Sequence, residues 1–362
     1  MKLLLVSDAV GGVWIYSIEL ARALRGLGVE PVIAVTGPSP TSEQRRGAEG
    51  VRLVDTGLPL DWLDTSPAEL RRAGERLATI AGREAADVVQ TCSAALLAGV
   101  RFAQPTVAVQ HSCVASWWSA VRAAPLPAEF AWRRELVQQG LNRAGAVVAP
   151  THAFAAETQR IYDLPGRVLA VHNGRSARAA ADVPPTDLVV TAGRLWDEGK
   201  NVATLDAAAV HLRVPFQAAG PLQGPNGAKA NFACLECLGE LGGAPLEAVL
   251  AKRPIFASAA LYEPFGLAVL EAAQAGCALV LSDIPTFREL WNDAAMFVDA
   301  RDAQGFARAI QRLLDEPEER ARLGTAAQRR ARRFTPAATA KRMHELYEQL
   351  TARAPLELAG AA

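Results

Sequence analysis

The sequence has no apolar run long enough to cross a membrane. Its longest early one, Leu3 to Val6, is cut by Ser7 and Asp8, so neither a secretory leader nor a spanning segment can be drawn there. It has no net charge either: 38 Lys+Arg balance 38 Asp+Glu, which argues against a protein that coats nucleic acid or an acidic membrane by bulk charge. Cysteine is scarce and odd in number, five in 362 residues, and does not read as a disulfide framework. Aromatic residues make up only 6%, yet 50% of the chain is hydrophobic, so disorder is excluded as well. Lysine is nearly absent, occurring at positions 2, 200, 229, 252 and 341, and arginine supplies the rest of the positive charge. A cytoplasmic globular enzyme is the expectation, and the length asks for about two domains.

Short runs rich in Val, Leu and Ile alternate with longer amphipathic segments, the signature of strand and helix units around a parallel sheet. Lys2 to Ser7 reads as strand, Val13 to Gly28 as helix and Pro31 to Thr36 as strand, and the pattern recurs as far as Val168 to Val171. An Ala- and Pro-rich stretch from Arg175 to Thr186 then reads as a linker. The alternation restarts with Leu188 to Thr191, and from Asp302 onward the chain is helix-forming. The expected layout is an α/β protein of two doubly wound parallel-sheet domains, residues 1–172 and 173–335, followed by a terminal helix at 336–352.

Four segments could carry chemistry. In Glu263-Pro264-Phe265-Gly266-Leu267-Ala268-Val269-Leu270-Glu271, Pro264 suits a first helical position and Gly276 the residue past the end, which predicts a helix of about three turns. Glu263 then stands at the helix mouth, and the N–H groups of Phe265, Gly266 and Leu267 form an anion site there. Taken alone, Glu263 reads equally as a capping acid and Glu271 as a surface residue. Arg194 and Lys200 flank Gly199 in the loop after strand Leu188 to Thr191, where two fixed positive charges suit a diphosphate and could replace a metal ion. Exposed ion pairing with Asp197 and Glu198 is the plain alternative. Gly11 and Gly12 follow the first strand, where backbone can approach a ligand closely, although the sequence there is not G-x-G-x-x-G. His111 lies just past the strand Thr106 to Gln110, at a carboxyl end where polar residues face ligands. Cys234 and Cys237 have metal-ligand spacing, but no second pair or neighbouring histidine completes a site.

Two carboxylates eight positions apart around Pro-Phe-Gly, an Arg/Lys loop and a Gly-Gly loop, in this order, resemble the retaining glycosyltransferases of family 4, which have the two-Rossmann-domain GT-B fold. The likeness runs from Met1 to about Leu350, and the Glu263 to Glu271 segment is its most specific part. One interval departs from the family pattern: Arg194 and Lys200 are six positions apart where five is usual, and Gly199 is the residue that could absorb the difference. The resemblance implies that Glu271 accepts hydrogen bonds from the nucleotide's ribose, and that Glu263 faces the donor sugar beside the amides of Phe265 and Gly266. Leu267 N–H would support the diphosphate that Arg194 and Lys200 hold. Gly11 and Gly12 would bring backbone to the donor phosphate and the acceptor, and His111 would contact the sugar near the reacting centre. It further implies a cleft between the domains as the active site, and a terminal helix that crosses back onto the first domain.

The reaction implied is metal-independent transfer of a hexose, with retention, from a nucleoside-diphosphate sugar to a hydroxyl acceptor: a glycolipid, a polysaccharide or a small metabolite. No cofactor is expected, and no nucleic-acid partner. Trp117 and Trp118, with Arg122, Arg133 and Arg134 after them, could stack on sugar rings, pack in a core or make a peripheral contact with the inner face of the membrane. Three rivals stand beside this reading. They are a sugar-nucleotide epimerase on the same fold, a non-catalytic sugar-nucleotide-binding protein, and an NAD-dependent dehydrogenase, the last disfavoured by the missing glycine fingerprint.

Overall fold

The computed structural model describes residues 1–63, 65–176 and 183–360. The chain divides into two compact units, one made of Met1–Gly174 with Thr335–Ala362 and the other of Arg175–Phe334. Of the expected linker, 177–182 lies outside the described residues.

The first unit is built on a seven-stranded parallel sheet. Its strands are β1 (Lys2–Asp8), β2 (Glu30–Thr36), β3 (Arg52–Leu58), β4 (Val88–Thr91), β5 (Thr106–Val109), β6 (Ala146–Ala149) and β7 (Leu169–Ala170), ordered β3-β2-β1-β4-β5-β6-β7. Reversal of order beside β1 is the doubly wound arrangement. The helices are α1 (Gly12–Arg25), α2 (Ser42–Gly47), α3 (Pro67–Arg83), α4 (Val114–Val121), α5 (Ala128–Arg143) and α6 (His152–Tyr162). Strand β3 is not evident from the sequence: it is a sheet edge whose Arg52, Asp55 and Gly57 are exposed, so its apolar run is broken.

The second unit has a six-stranded parallel sheet, β8 (Val189–Ala192), β9 (Phe216–Ala219), β10 (Glu236–Gly239), β11 (Ile255–Ser258), β12 (Ala278–Ser282) and β13 (Ala295–Val298), ordered β10-β9-β8-β11-β12-β13. Helices α7 (Val202–Ala209), α8 (Gly243–Leu250), α9 (Leu267–Gln274), α10 (Pro285–Trp291), α11 (Ala303–Asp315) and α12 (Pro317–Ala331) cover it. Period-two alternation divides the central strands β8, β11 and β12 between two cores. Val190, Phe256, Leu279 and Leu281 enter one with α9, while Val189, Ile255, Ala257 and Val280 enter the other with α7 and α11.

The last helix, α13 (Pro336–Gly360), belongs to the first unit. Its Ala340, Met343, Leu346, Tyr347 and Leu350 join the core formed by α1 and strands β1, β2 and β5.

Candidate active site

At the carboxyl edge of the second sheet, the loop after β8 meets the loop after β9 at backbone contact. A Cβ on Gly220 would lie 1.7 Å from the Gly193 carbonyl oxygen, and Gly220 has φ +145°, so only glycine fits. The chain then runs through Arg194 and Leu195 into a single 3-10 turn at Glu198–Lys200, capped when Asp197 Oδ1 accepts the Gly199 N–H at 2.9 Å. Asn201 follows with φ 51° as the N-cap of α7. Gly199, the residue expected to absorb the six-position interval from Arg194 to Lys200, is the middle residue of that turn. The Gly199 carbonyl also accepts from the N–H groups of Leu261 (2.9 Å) and Tyr262 (3.1 Å), which fastens the Lys200 loop to the loop carrying Glu263.

That second loop is held from two further sides. Asn201 Nδ2 donates to the Ala259 carbonyl at 2.9 Å, and Ser282 Oγ donates to the Ala260 carbonyl at 2.6 Å. The outcome is a Lys200 Nζ to Glu263 Oε2 ion pair of 2.5 Å, with the two side chains 19% and 16% exposed. The pair borders a recess lined also by Thr191, Gly193, Ser258 and Ala268.

Helix α9 begins at Leu267, not at Pro264. Gly266 is its N-cap with φ +91°, and Pro264 lies two residues earlier in an irregular turn, so the helix has two turns where three were expected. The N–H groups that open the helix are therefore those of Leu267, Ala268 and Val269. Phe265 turns its ring into the core, 5.8 Å from Phe334, and offers the site only its backbone. A Cβ on Gly266 would press on Phe287, Val269 and the Glu263 side chain at 3.2–3.3 Å.

Arg194 and Lys200 are each paired with a carboxylate. Arg194 Nη2 donates to Asp197 Oδ2 at 2.6 Å from a side chain that is 40% exposed, the ion pair that was the plain alternative, whereas Lys200, 19% exposed, is matched by Glu263, because a charge withdrawn that far from water needs a counter-charge. Glu271, on the second turn of α9, is paired as well: Arg175 Nε donates to its Oε1 at 2.7 Å. The sequence reading missed Arg175, a loop arginine 96 positions from its partner. Among the described residues no group of His, Cys, Asp and Glu has the makings of a metal centre, Cys234 and Cys237 included.

The structure places Arg194, Lys200, Glu263, Phe265, Gly266, Leu267 and Glu271 in the second unit, and Gly11, Gly12 and His111 in the first. Gly11 is the exposed N-cap of α1, with φ 70° and open space where a Cβ would stand, and Gly12 is the first residue of that helix. His111 follows β5 with its ring 4.3 Å from that of Tyr16, edge to face, and its Nε2 is buried without a partner among the described residues. Burial holds the imidazole down at about pKa 4, so it is uncharged at neutral pH.

A pH signature follows. The unfolded chain binds this proton below about pH 6.5 and the folded one only near 4, so stability rises with pH between those values. Acidification from pH 7 to 4 should lower the melting temperature, with His111 contributing up to about 3 kcal/mol. His111→Gln should flatten that part of the profile, as followed by circular dichroism melts.

Trp117 and Trp118 are half-buried. Arg122 lies over both rings at 5.3 and 5.8 Å, and Trp118 Nε1 donates to the Ala124 carbonyl at 2.8 Å. No helix among the described residues is long and apolar enough to cross a membrane.

Two family models match the chain: Glycosyltransferase Family 4 over residues 10–177 and Glycosyl transferases group 1 over residues 235–330. The D-inositol 3-phosphate glycosyltransferase of Corynebacterium urealyticum is 28% identical over 256 residues, which is 60% of this chain and only 60% of that protein's length. Sucrose-phosphate synthase from Thermosynechococcus elongatus superposes with a TM-score of 0.77 at 19% identity, over 97% of this chain and 99% of that one. HepE of Anabaena, in complex with UDP and glucose, superposes with a TM-score of 0.75 at 17% identity, over 97% and 100%.

Proposed function

We propose, from the premise that this chain belongs to the group 1 glycosyltransferases of family 4 and has their GT-B fold, that it moves a hexose from a nucleoside-diphosphate sugar to a hydroxyl acceptor. The proposal includes retention of anomeric configuration and independence of metal. The observation that carries it is the Lys200–Glu263 pair at the mouth of α9, a cation and a carboxylate beside open helix N–H groups. HepE was solved with UDP and glucose, which supports a nucleotide-sugar donor here.

Breaking the anomeric C–O bond develops positive charge on the sugar and negative charge on the departing diphosphate. Helix N–H groups and fixed cations at the phosphate therefore lower the barrier directly. In this reading Leu267 N–H and its neighbours receive phosphate oxygens, and Arg194 and Lys200 turn from Asp197 and Glu263 toward them. Glu263, released from Lys200, accepts from the sugar hydroxyls beside the Phe265 and Gly266 backbone, and Glu271 accepts from the ribose. In the first unit, Gly11 and Gly12 supply backbone N–H groups, and uncharged His111 offers Nε2 to the sugar. The leaving phosphate takes the acceptor proton, which makes a separate side-chain base unnecessary. The acceptor hydroxyl belongs to a glycolipid, a polysaccharide or a small metabolite, and the Trp117, Trp118 and Arg122 surface is the part of the first unit suited to a sugar ring or a lipid headgroup.

The test is a panel of UDP-, GDP- and ADP-hexoses assayed for nucleotide release in EDTA, with and without hydroxyl acceptors. Acceptor-dependent release and a product of the donor's anomeric configuration are expected. Isomerisation of the donor alone would instead make the protein an epimerase. Arg194→Ala is expected to lower turnover by about tenfold to a hundredfold with little change in melting temperature, since its side chain is 40% exposed. Near-normal turnover by the folded variant would remove Arg194 from the site.

A further inference from the structure

We infer that Arg175 is a positioning residue for the nucleotide's ribose: it holds one oxygen of the Glu271 carboxylate so that the other is fixed toward the 2′ and 3′ hydroxyls. The inference rests on the reading that Glu271 takes the ribose, and it adds to that site Arg175, a residue that the sequence places at the start of the linker.

Arg175 is the first residue of that unit, and its backbone is tied on both sides. Its N–H donates to the Phe334 carbonyl at 3.1 Å, and its carbonyl accepts from Gln274 Nε2 at 2.9 Å. Its side chain reaches Glu271 at 2.7 Å. Glu271 and Gln274 are three positions apart on α9 and so lie on one face of it, which means Arg175 grips that face twice. The anchor at Phe334 is rigid, for its ring packs 5.8 Å from those of Phe265 and Trp291 in the core. The guanidinium therefore acts from a fixed base.

Chemistry gives this arrangement its use. An ionised carboxylate offers two oxygens with about four acceptor directions, enough for a guanidinium N–H and a vicinal diol together. A glutamate side chain free to turn would lose that freedom on binding, whereas one already held by Arg175 has lost it beforehand. With Arg175 14% and Glu271 20% exposed, water competes weakly for the bond.

A purely structural ion pair would have the same contacts, so the test must read the diol. UDP, GDP and ADP are titrated calorimetrically into the full chain, and the tightest is compared with its 2′,3′-dideoxy counterpart. The wild type should prefer the ribonucleotide by at least about tenfold, the worth of hydrogen bonds to a charged group. Glu271→Ala should abolish the preference. Arg175→Ala should cut it to about threefold or less while leaving the dideoxy affinity nearly unchanged, and Arg175→Lys should restore only part, lacking the planar fork. Full preference in Arg175→Ala, or equal loss of both nucleotides, overturns the inference while leaving Glu271 in its role. Full preference in Glu271→Ala, or no nucleotide bound by the wild type, overturns the reading beneath it. Should Arg175→Ala not fold, Arg175→Lys carries the test: unaltered preference there counts against the inference.

Discussion

Lys200→Ala is expected to lower acceptor-dependent turnover by about 10²–10³ while the protein stays folded. Lys200 lines one recess with Glu263 and with Ala268 and Val269 of the first turn of α9, and at 19% exposure its field is screened less than that of Arg194 at 40%. The substitution also strands Glu263, whose carboxylate is 16% exposed, and an unpaired charge of that kind costs about 1–3 kcal/mol. In a domain of this size that corresponds to about 2–4 °C of melting temperature per kcal/mol. Two effects are thus superimposed, and a second variant separates them. Lys200→Met combined with Glu263→Gln removes both charges, so it should recover most of the stability and none of the turnover. A double variant that recovered turnover would show that Lys200 serves only to neutralise Glu263. Lys200→Arg should remain impaired, because a rigid planar fork does not occupy the space of an ammonium.

The same residue shows how much of the site was legible in the sequence. Lysine is so rare here that its presence after a strand, beside a glycine, was a usable signal, and the carboxylate at the mouth of a helix was another. What the sequence could not supply was the state of those charges. Ion pairs such as Lys200–Glu263 and Arg175–Glu271 join positions 63 and 96 apart; the first arises because parallel strands bring the loops after β8 and β11 to one sheet edge, the second because the segment before β8 is tied to Phe334 and to Gln274 of α9. Nothing in local pattern encodes that proximity. The misplaced start of α9 has a similar cause. Pro264 fits a first helical turn by propensity, but Gly266 takes φ +91° while Phe265 is drawn into the core, so packing overrides the local rule. The doubly wound sheets were legible because strands buried on both faces read as continuous apolar runs, and the edge strand β3 was not, for the converse reason.

The largest effect on stability is expected at the far end of the chain. A chain ended at Phe334 should lose the folded first unit, since α13 places Met343, Leu346, Tyr347 and Leu350 against α1 in that unit's core. Each such side chain is worth about 1.5–3 kcal/mol when buried, so together they approach the whole stability of a domain, about 5–15 kcal/mol. Tyr347 is the sharpest single probe. It is wholly buried, and burial keeps its phenol protonated, so it donates to Gln90 Oε1 on β4, while Gln90 Nε2 donates to the Tyr16 hydroxyl of α1 at 3.4 Å. Tyr347→Phe should cost about 1–3 kcal/mol by leaving the Gln90 carbonyl without its donor. Tyr347→Ala should cost about 3–5 kcal/mol by opening a cavity as well. Denaturant unfolding gives the graded series. Amide hydrogen exchange gives its location: protection should collapse in β1, β4 and α1 before it does in the strands β8, β11 and β12, whose two cores contain no residue of α13. A truncated chain that kept wild-type protection in β1 and α1 would mean that the first unit closes its core without the helix.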